Sequence, residues 1–243
     1  SDATKGWVPL EDDVTALEAV APPTQKAIFG YGATSSYVSM TNLVNSSGVV
    51  ATDTTGVGTA RRELAATGYG GDKAIFGYGF TGSKVSMTNL VSNNGVVAAD
   101  VTGVGTARQR LAAASYGGDK GLFGYGENSG KISATNLVSN SGVVATDTTG
   151  VGTARQYLAA TNYGGNKAIF GYGETSSYIS ATNLVSNSGV VATDTTGVGT
   201  ARQYLAATNY GGNKAIFGYG ETSSYISATN LVSNSGVVAT DTT

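Results

Sequence analysis

Apolar and polar positions alternate in short runs along this chain, and the runs return every 47 residues. In Lys73–Gly79 (KAIFGYG), Ala74, Phe76 and Tyr78 alternate with Ile75 and glycines; in Lys84–Val91 (KVSMTNLV), Val85 and Met87 alternate with Ser86 and Thr88. A period of two predicts β-strands. The glycines of the first run point to close backbone approach at a crowded centre. A third strand is predicted over Val96–Val101 (VVAADV), after the turn Ser92–Gly95, where Gly95 supplies the positive φ of a tight hairpin. The fourth segment, Ala107–Gly118 (ARQRLAAASYGG), has helix propensity and a Tyr-Gly-Gly that would cap a helix. A helix of barely two turns is marginal, however, and the segment runs straight into the next strand, so strand is the preferred reading.

The unit starts at Lys26, Lys73, Lys120, Lys167 and Lys214, and Asn136–Thr196 repeats as Asn183–Thr243 at all 61 positions. A fixed period of this size signals a repeat architecture, and four strands in about 40–50 residues is the make-up of a propeller blade. Counting back 47 residues from Gly56 gives Pro9, so 9–243 holds five units after a tail at 1–8: 9–55, 56–102, 103–149, 150–196 and 197–243. The expected fold is therefore all-β: one five-bladed β-propeller domain with four antiparallel strands per blade. Each blade would bury its Val, Ile, Phe and Leu against the next, each buried side chain contributing about 1.5–3 kcal/mol.

Residues 1–25 differ from the rest, holding Trp7, Pro9, Pro22, Pro23 and the acids Glu11, Asp12 and Asp13. Leu10, Val14 and Leu17 mark the stripe of a short helix with acids in its first turn. In the alternative register Leu17 aligns with Leu64 and the segment is a degenerate first strand. Cap and strand both stay open.

Composition narrows the chemistry. A net charge of −2 with isolated arginines gives no basic face, which argues against nucleic acid as a partner. With no cysteine and no histidine, disulfides, thiolate or histidine metal sites and a Ser-His-Asp triad are excluded. No apolar run is long enough for a membrane span, and the N-terminus does not read as a secretory signal. The first residue is not Met, as expected of a trimmed chain or a fragment. No cofactor or metal is predicted.

Gly56–Arg61 (GVGTAR) lacks the Lys-Ser/Thr of a phosphate loop and reads as a turn. Thr52–Gly56 and its copies lack the further acids of a calcium loop, so Asp53, Asp100, Asp147 and Asp194 are expected to bond backbone N–H groups within hairpin turns. Arg61, Arg108, Arg155 and Arg202 are expected to bond a neighbouring blade's carbonyls or aspartates, with an anion-binding ring as the alternative. Glu127, Glu174 and Glu221 occupy one loop position per unit, too far apart on a ring for the carboxylate pair of a glycosidase, so the chain is read as a non-enzyme.

The units differ mainly in loops. After FGYG they read ATSSY, FTGSK, ENSGK and ETSSY, and a second variable pair is Arg62-Glu63, Gln109-Arg110 and Gln156-Tyr157. Loops on a rigid scaffold carry function. The candidate binding residues are Tyr37, Lys84, Lys131, Tyr178 and Tyr225, with Glu127, Glu174 and Glu221. Drift on exposed loops is the competing reading.

Arg108–Gly126 (RQRLAAASYGGDKGLFGYG) resembles the kelch repeat, departing from it in the split Gly77-Tyr78-Gly79 and the missing late Trp. More closely, GVVATDTTGVGTAR with LAAT, YGG and KAIFGYG is similar to repeats in structural proteins of marine tailed bacteriophages, of cyanophage type, over Lys26–Thr243. The resemblance implies a virion or extracellular protein, a fibre, appendage or capsid decoration. Its partners would be other virion proteins or host cell-surface glycans, with a homo-oligomer open; a lectin-like module is the alternative, and a designed symmetric protein a further one.

Overall fold

The structure is a computed structural model that describes residues 25–242; the competing readings of 1–24 lie outside it. All regular structure among the described residues is β. The first sheet pairs β1 (Gln25–Ala33) with β2 (Tyr37–Asn45). Four three-stranded antiparallel sheets follow: β3 (Ala65–Tyr69), β4 (Lys73–Gly77) and β5 (Thr88–Val91); β6 (Ala112–Tyr116), β7 (Lys120–Gly124) and β8 (Thr135–Val138); β9 (Ala159–Tyr163), β10 (Lys167–Gly171) and β11 (Thr182–Val185); β12 (Ala206–Tyr210), β13 (Lys214–Gly218) and β14 (Thr229–Val232). The Ala-rich segment supplies the first strand of each triplet, as preferred from sequence. Its strand hydrogen bonds pair Ala112 through Tyr116 with Gly124 through Lys120.

Two of the expected strands are corrected. The strand expected over 84–91 is regular only at β5, because Tyr78 at φ 65° and Gly79 at φ 109° turn the chain out of the ladder after Gly77. The strand expected over 96–101 is held by two bridges, Thr88↔Val101 and Val91↔Val97, and is not a continuous strand. Between those bridges the Asn89 side chain donates to Ala98 O (3.0 Å) and Asp100 Oδ1 (2.9 Å), so a side chain takes the place of ladder bonds. Each of the last four units is thus a three-stranded sheet with a tethered outer segment, and not a regular four-stranded blade.

The first strands of successive sheets lie side by side, joined at the turns by Gly70 N–Asp119 O (2.6 Å), Gly117 N–Asn166 O (2.7 Å) and Gly164 N–Asn213 O (2.7 Å). The core lies between sheets. Tyr78 meets Phe123, Tyr125 meets Phe170 and Tyr172 meets Phe217, with ring centroids 5.1–5.2 Å apart. A Cβ on Gly77, Gly124 or Gly171 would stand 2.6–2.7 Å from that phenyl ring, so the close approach read from the glycines is an aromatic ring seated on bare backbone. No substantial packing of β12–β14 against β1–β5 is present among the described residues. Among the described residues the sheets form an open stack, where a closed ring was expected.

Candidate interaction surface

The most regular polar feature is not a surface. Arg61, Arg108, Arg155 and Arg202 are each fully buried, lying 4.1–4.2 Å from the ring centroid of the preceding unit's Tyr31, Tyr78, Tyr125 and Tyr172. Arg61 donates to Tyr78 O (2.8 Å), Thr59 O (3.0 Å) and Asn89 Oδ1 (2.6 Å), with Asp100 3.8 Å away. These carbonyl and aspartate partners belong to the arginine's own unit, where those of a neighbouring blade were expected; the neighbour contributes only the tyrosine ring. They leave the guanidinium closed to an external anion. Burial lowers the pKa of Arg61, Arg108 and Arg155, against the pull of the stacked tyrosine and nearby aspartate. The same burial pushes Tyr78, Tyr125 and Tyr172 up to about 12.

The aspartates do not cap their own turns. Asp100 accepts from Thr59 N and Thr59 Oγ1, 41 residues upstream, at 2.9 and 2.6 Å; Asp147, Asp194 and Asp241 do the same with Thr106, Thr153 and Thr200. Each carboxylate ties the outer segment of its unit to the linker that enters that unit.

A shallow groove of about 350 Å³ runs along the stack, lined by Glu63, Arg110, Tyr157 and Tyr204 with the leucines that follow each. These four equivalent residues all take φ of 54–58°. Their backbones bond in series, from Arg110 N to Glu63 O, Tyr157 N to Arg110 O and Tyr204 N to Tyr157 O. Their side chains continue the series: Arg110 Nε lies 2.9 Å from Glu63 Oε2, the Arg110 guanidinium sits 4.7 Å from the Tyr157 centroid, and Tyr157 meets Tyr204 at 4.2 Å. The second variable pair is therefore a column of matched neighbours. Arg110 also reaches Glu127 at 2.7 Å.

The loop residues chosen from sequence behave similarly. Lys84 bonds Asn128 O and lies 3.6 Å from Glu127; Lys131 bonds Thr175 O and lies 3.3 Å from Glu174. Tyr37 meets Phe80 edge-on at 6.2 Å, with Arg62 5.4 Å from the Tyr37 ring. Burial raises the pKa of Glu127, but Gln109 and the charges of Lys84 and Arg110 outweigh it and hold the carboxyl below its usual range. These residues join one unit to the next, and their variation is paired. Tyr178 is half-buried. Tyr225 alone among the three tyrosines is strongly exposed (89%), beside a cavity of about 460 Å³ lined by Tyr204, Tyr219, Glu221 and Ile226.

A surface that the sequence reading missed lies on the outer segments. Val49, Val96, Val143, Val190 and Val237, one per unit, are 59–66% exposed. The signal was the SGVV text, read only as a buried strand. No protein-family model and no curated protein sequence matches this chain.

Proposed function

We propose that this is a non-enzymatic structural protein of a particle, a virion fibre, appendage or capsid decoration as the bacteriophage resemblance implies, whose contacts with other virion proteins run through the outer valine row. One observation carries the reading: a large apolar side chain stands exposed at the same place in five successive units. Exposed apolar side chains scattered singly need no explanation, whereas a periodic row suits a partner that is itself periodic.

The lectin reading rests on Tyr225 and its cavity at one end, since Tyr37 and the loop lysines are committed to neighbouring units. The deciding experiment offers the protein to bacterial surface polysaccharides and intact cells, and in parallel to the virion proteins encoded beside it. The expected result is silence with glycans and copurification of a virion protein, lost on replacing Val96, Val143 and Val190 with Lys. Saturable glycan binding weakened by Tyr178→Ala and Tyr225→Ala would overturn it in favour of the lectin.

A further inference from the structure

The two ends of the stack are halves of the interface that repeats inside it. Within the stack, each unit offers its successor a glycine and a tyrosine from the FGYG strand, and receives the successor's phenyl ring on them: Phe76 on Gly30 and Tyr31, Phe123 on Gly77 and Tyr78, Phe170 on Gly124 and Tyr125, Phe217 on Gly171 and Tyr172. A second point of contact lies at the turns. Gly142 seats on Tyr69 and Leu90, Gly189 on Tyr116 and Leu137, and Gly236 on Tyr163 and Leu184.

At the last unit both receptors are empty among the described residues. Gly218 meets no phenyl ring, and Tyr219 is 64% exposed where Tyr172 is buried. Tyr210 and Leu231, counterparts of Tyr163 and Leu184, are exposed as well. At the first unit both inserts are free in the same sense. Phe29 is 62% exposed where Phe76 is buried, and Gly48, counterpart of Gly95, has open space around it. Tail and head thus carry the same two complementary features at the same sequence offset.

We propose that the tail face of one copy, Gly218, Tyr219, Tyr210 and Leu231, binds the head face of a second copy, Phe29 and the turn at Gly48. The occupant is chosen by continuity: the tail face has the sequence of the faces that bind a following unit inside the chain, and the head presents the matching ring. Two surfaces that differ from each other form a heterologous contact, which builds open chains of molecules and not a closed twofold dimer. The junction is weaker than an internal one. The residue 47 positions before Arg61 is Val14, so the second copy brings no arginine to lie over Tyr219. Association is therefore reversible and concentration-dependent.

The test is sedimentation velocity of the full chain over a wide concentration range, with Phe29→Asp and Tyr219→Asp. Both residues are exposed, so each variant keeps the monomer's fold, checked by circular dichroism. The wild type is expected to form a ladder of oligomers. Each variant alone stays monomeric, its junction weakened on the order of 30-fold or more, as for removal of an interface hot spot. Mixed at equal concentration, the two variants pair one intact tail with one intact head and stop at a heterodimer. A wild type that is monomeric at every concentration, whether open or closed on itself, overturns the inference; so do oligomers unaffected by either substitution, or a mixture that does not pair.

Discussion

Gly124 and Gly218 occupy the same place in two units, with different surroundings. A Cβ at Gly124 would stand 2.6 Å from the Phe170 ring and 3.0 Å from Thr135 Cγ2, whereas at Gly218 the nearest atom is Thr229 Cγ2 at 3.3 Å. Neither glycine needs a positive φ, so the comparison isolates packing. Overfilling a packed site costs about 1–3 kcal/mol, while Gly→Ala in a compatible conformation is neutral to slightly favourable. Gly124→Ala is expected to lower the denaturant midpoint by that amount and Gly218→Ala to leave it within about 0.5 kcal/mol of wild type. Equal losses at both positions would show that strand conformation, not the seated ring, fixes the glycine. This close approach was legible from glycines alternating inside an apolar run. The ring that fills it was not, because Phe123 and Phe170 belong to the same motif and only the packing of sheets decides which unit's ring meets which unit's glycine.

At the scale of the element, the outer segment is the weak part of each unit, and its carboxylate is what ties it down. Burial raises the pKa of Asp147, but hydrogen bonds from Thr106 Oγ1, Asn136 and Thr106 N, with the Arg108 charge, outweigh that and lower it from the ordinary 3.8. Because the folded-state pKa lies below the unfolded one, the stabilisation is complete above about pH 3.8 and is lost as pH falls through the folded value. Asp147→Asn should cost about 1 kcal/mol at pH 7, the carboxylate being partly exposed. That difference from wild type should shrink in urea titrations below pH 3.8. A difference independent of pH would mean the charge contributes nothing. The sequence suggested a structural aspartate but assigned it to its own hairpin. The actual partner is 41 residues upstream, a contact that no local pattern encodes. Alternation likewise marked the outer valines as strand, yet could not reveal that only two bridges would hold them.

For the whole molecule, the 47-residue period is a statement about which contacts can be exchanged. Stability in such stacks is approximately a sum of unit and nearest-neighbour terms. Deleting 120–166 would bring Lys84 to Glu174, where it now meets Glu127, and Arg110 to Glu174 and Tyr204, where it now meets Glu127 and Tyr157. Phe170 would take the place of Phe123 on Gly77 and Tyr78, and Asn166 would be lost with Asp119 left to enter the turn before Lys167. Each of these charged and aromatic groups finds a partner of the same kind at the new junction, while Ala168 replaces Gly121, where a Cβ stands 2.7 Å from Thr67 Cγ2 and that side chain must shift. The shortened chain of 243 − 47 = 196 residues is therefore expected to fold cooperatively, with a urea m-value lower by roughly a fifth, in proportion to the surface removed. Removing the 45 residues 123–167 instead leaves two extra residues ahead of Phe170 and, in the register set by Lys120, shifts it off the glycine, so that variant should unfold at lower urea. If the two deletions were equally damaging, or equally harmless, the units would not be interchangeable neighbours. The same exchangeability that lets a unit be cut out is what allows a unit of another copy to be added at the open end.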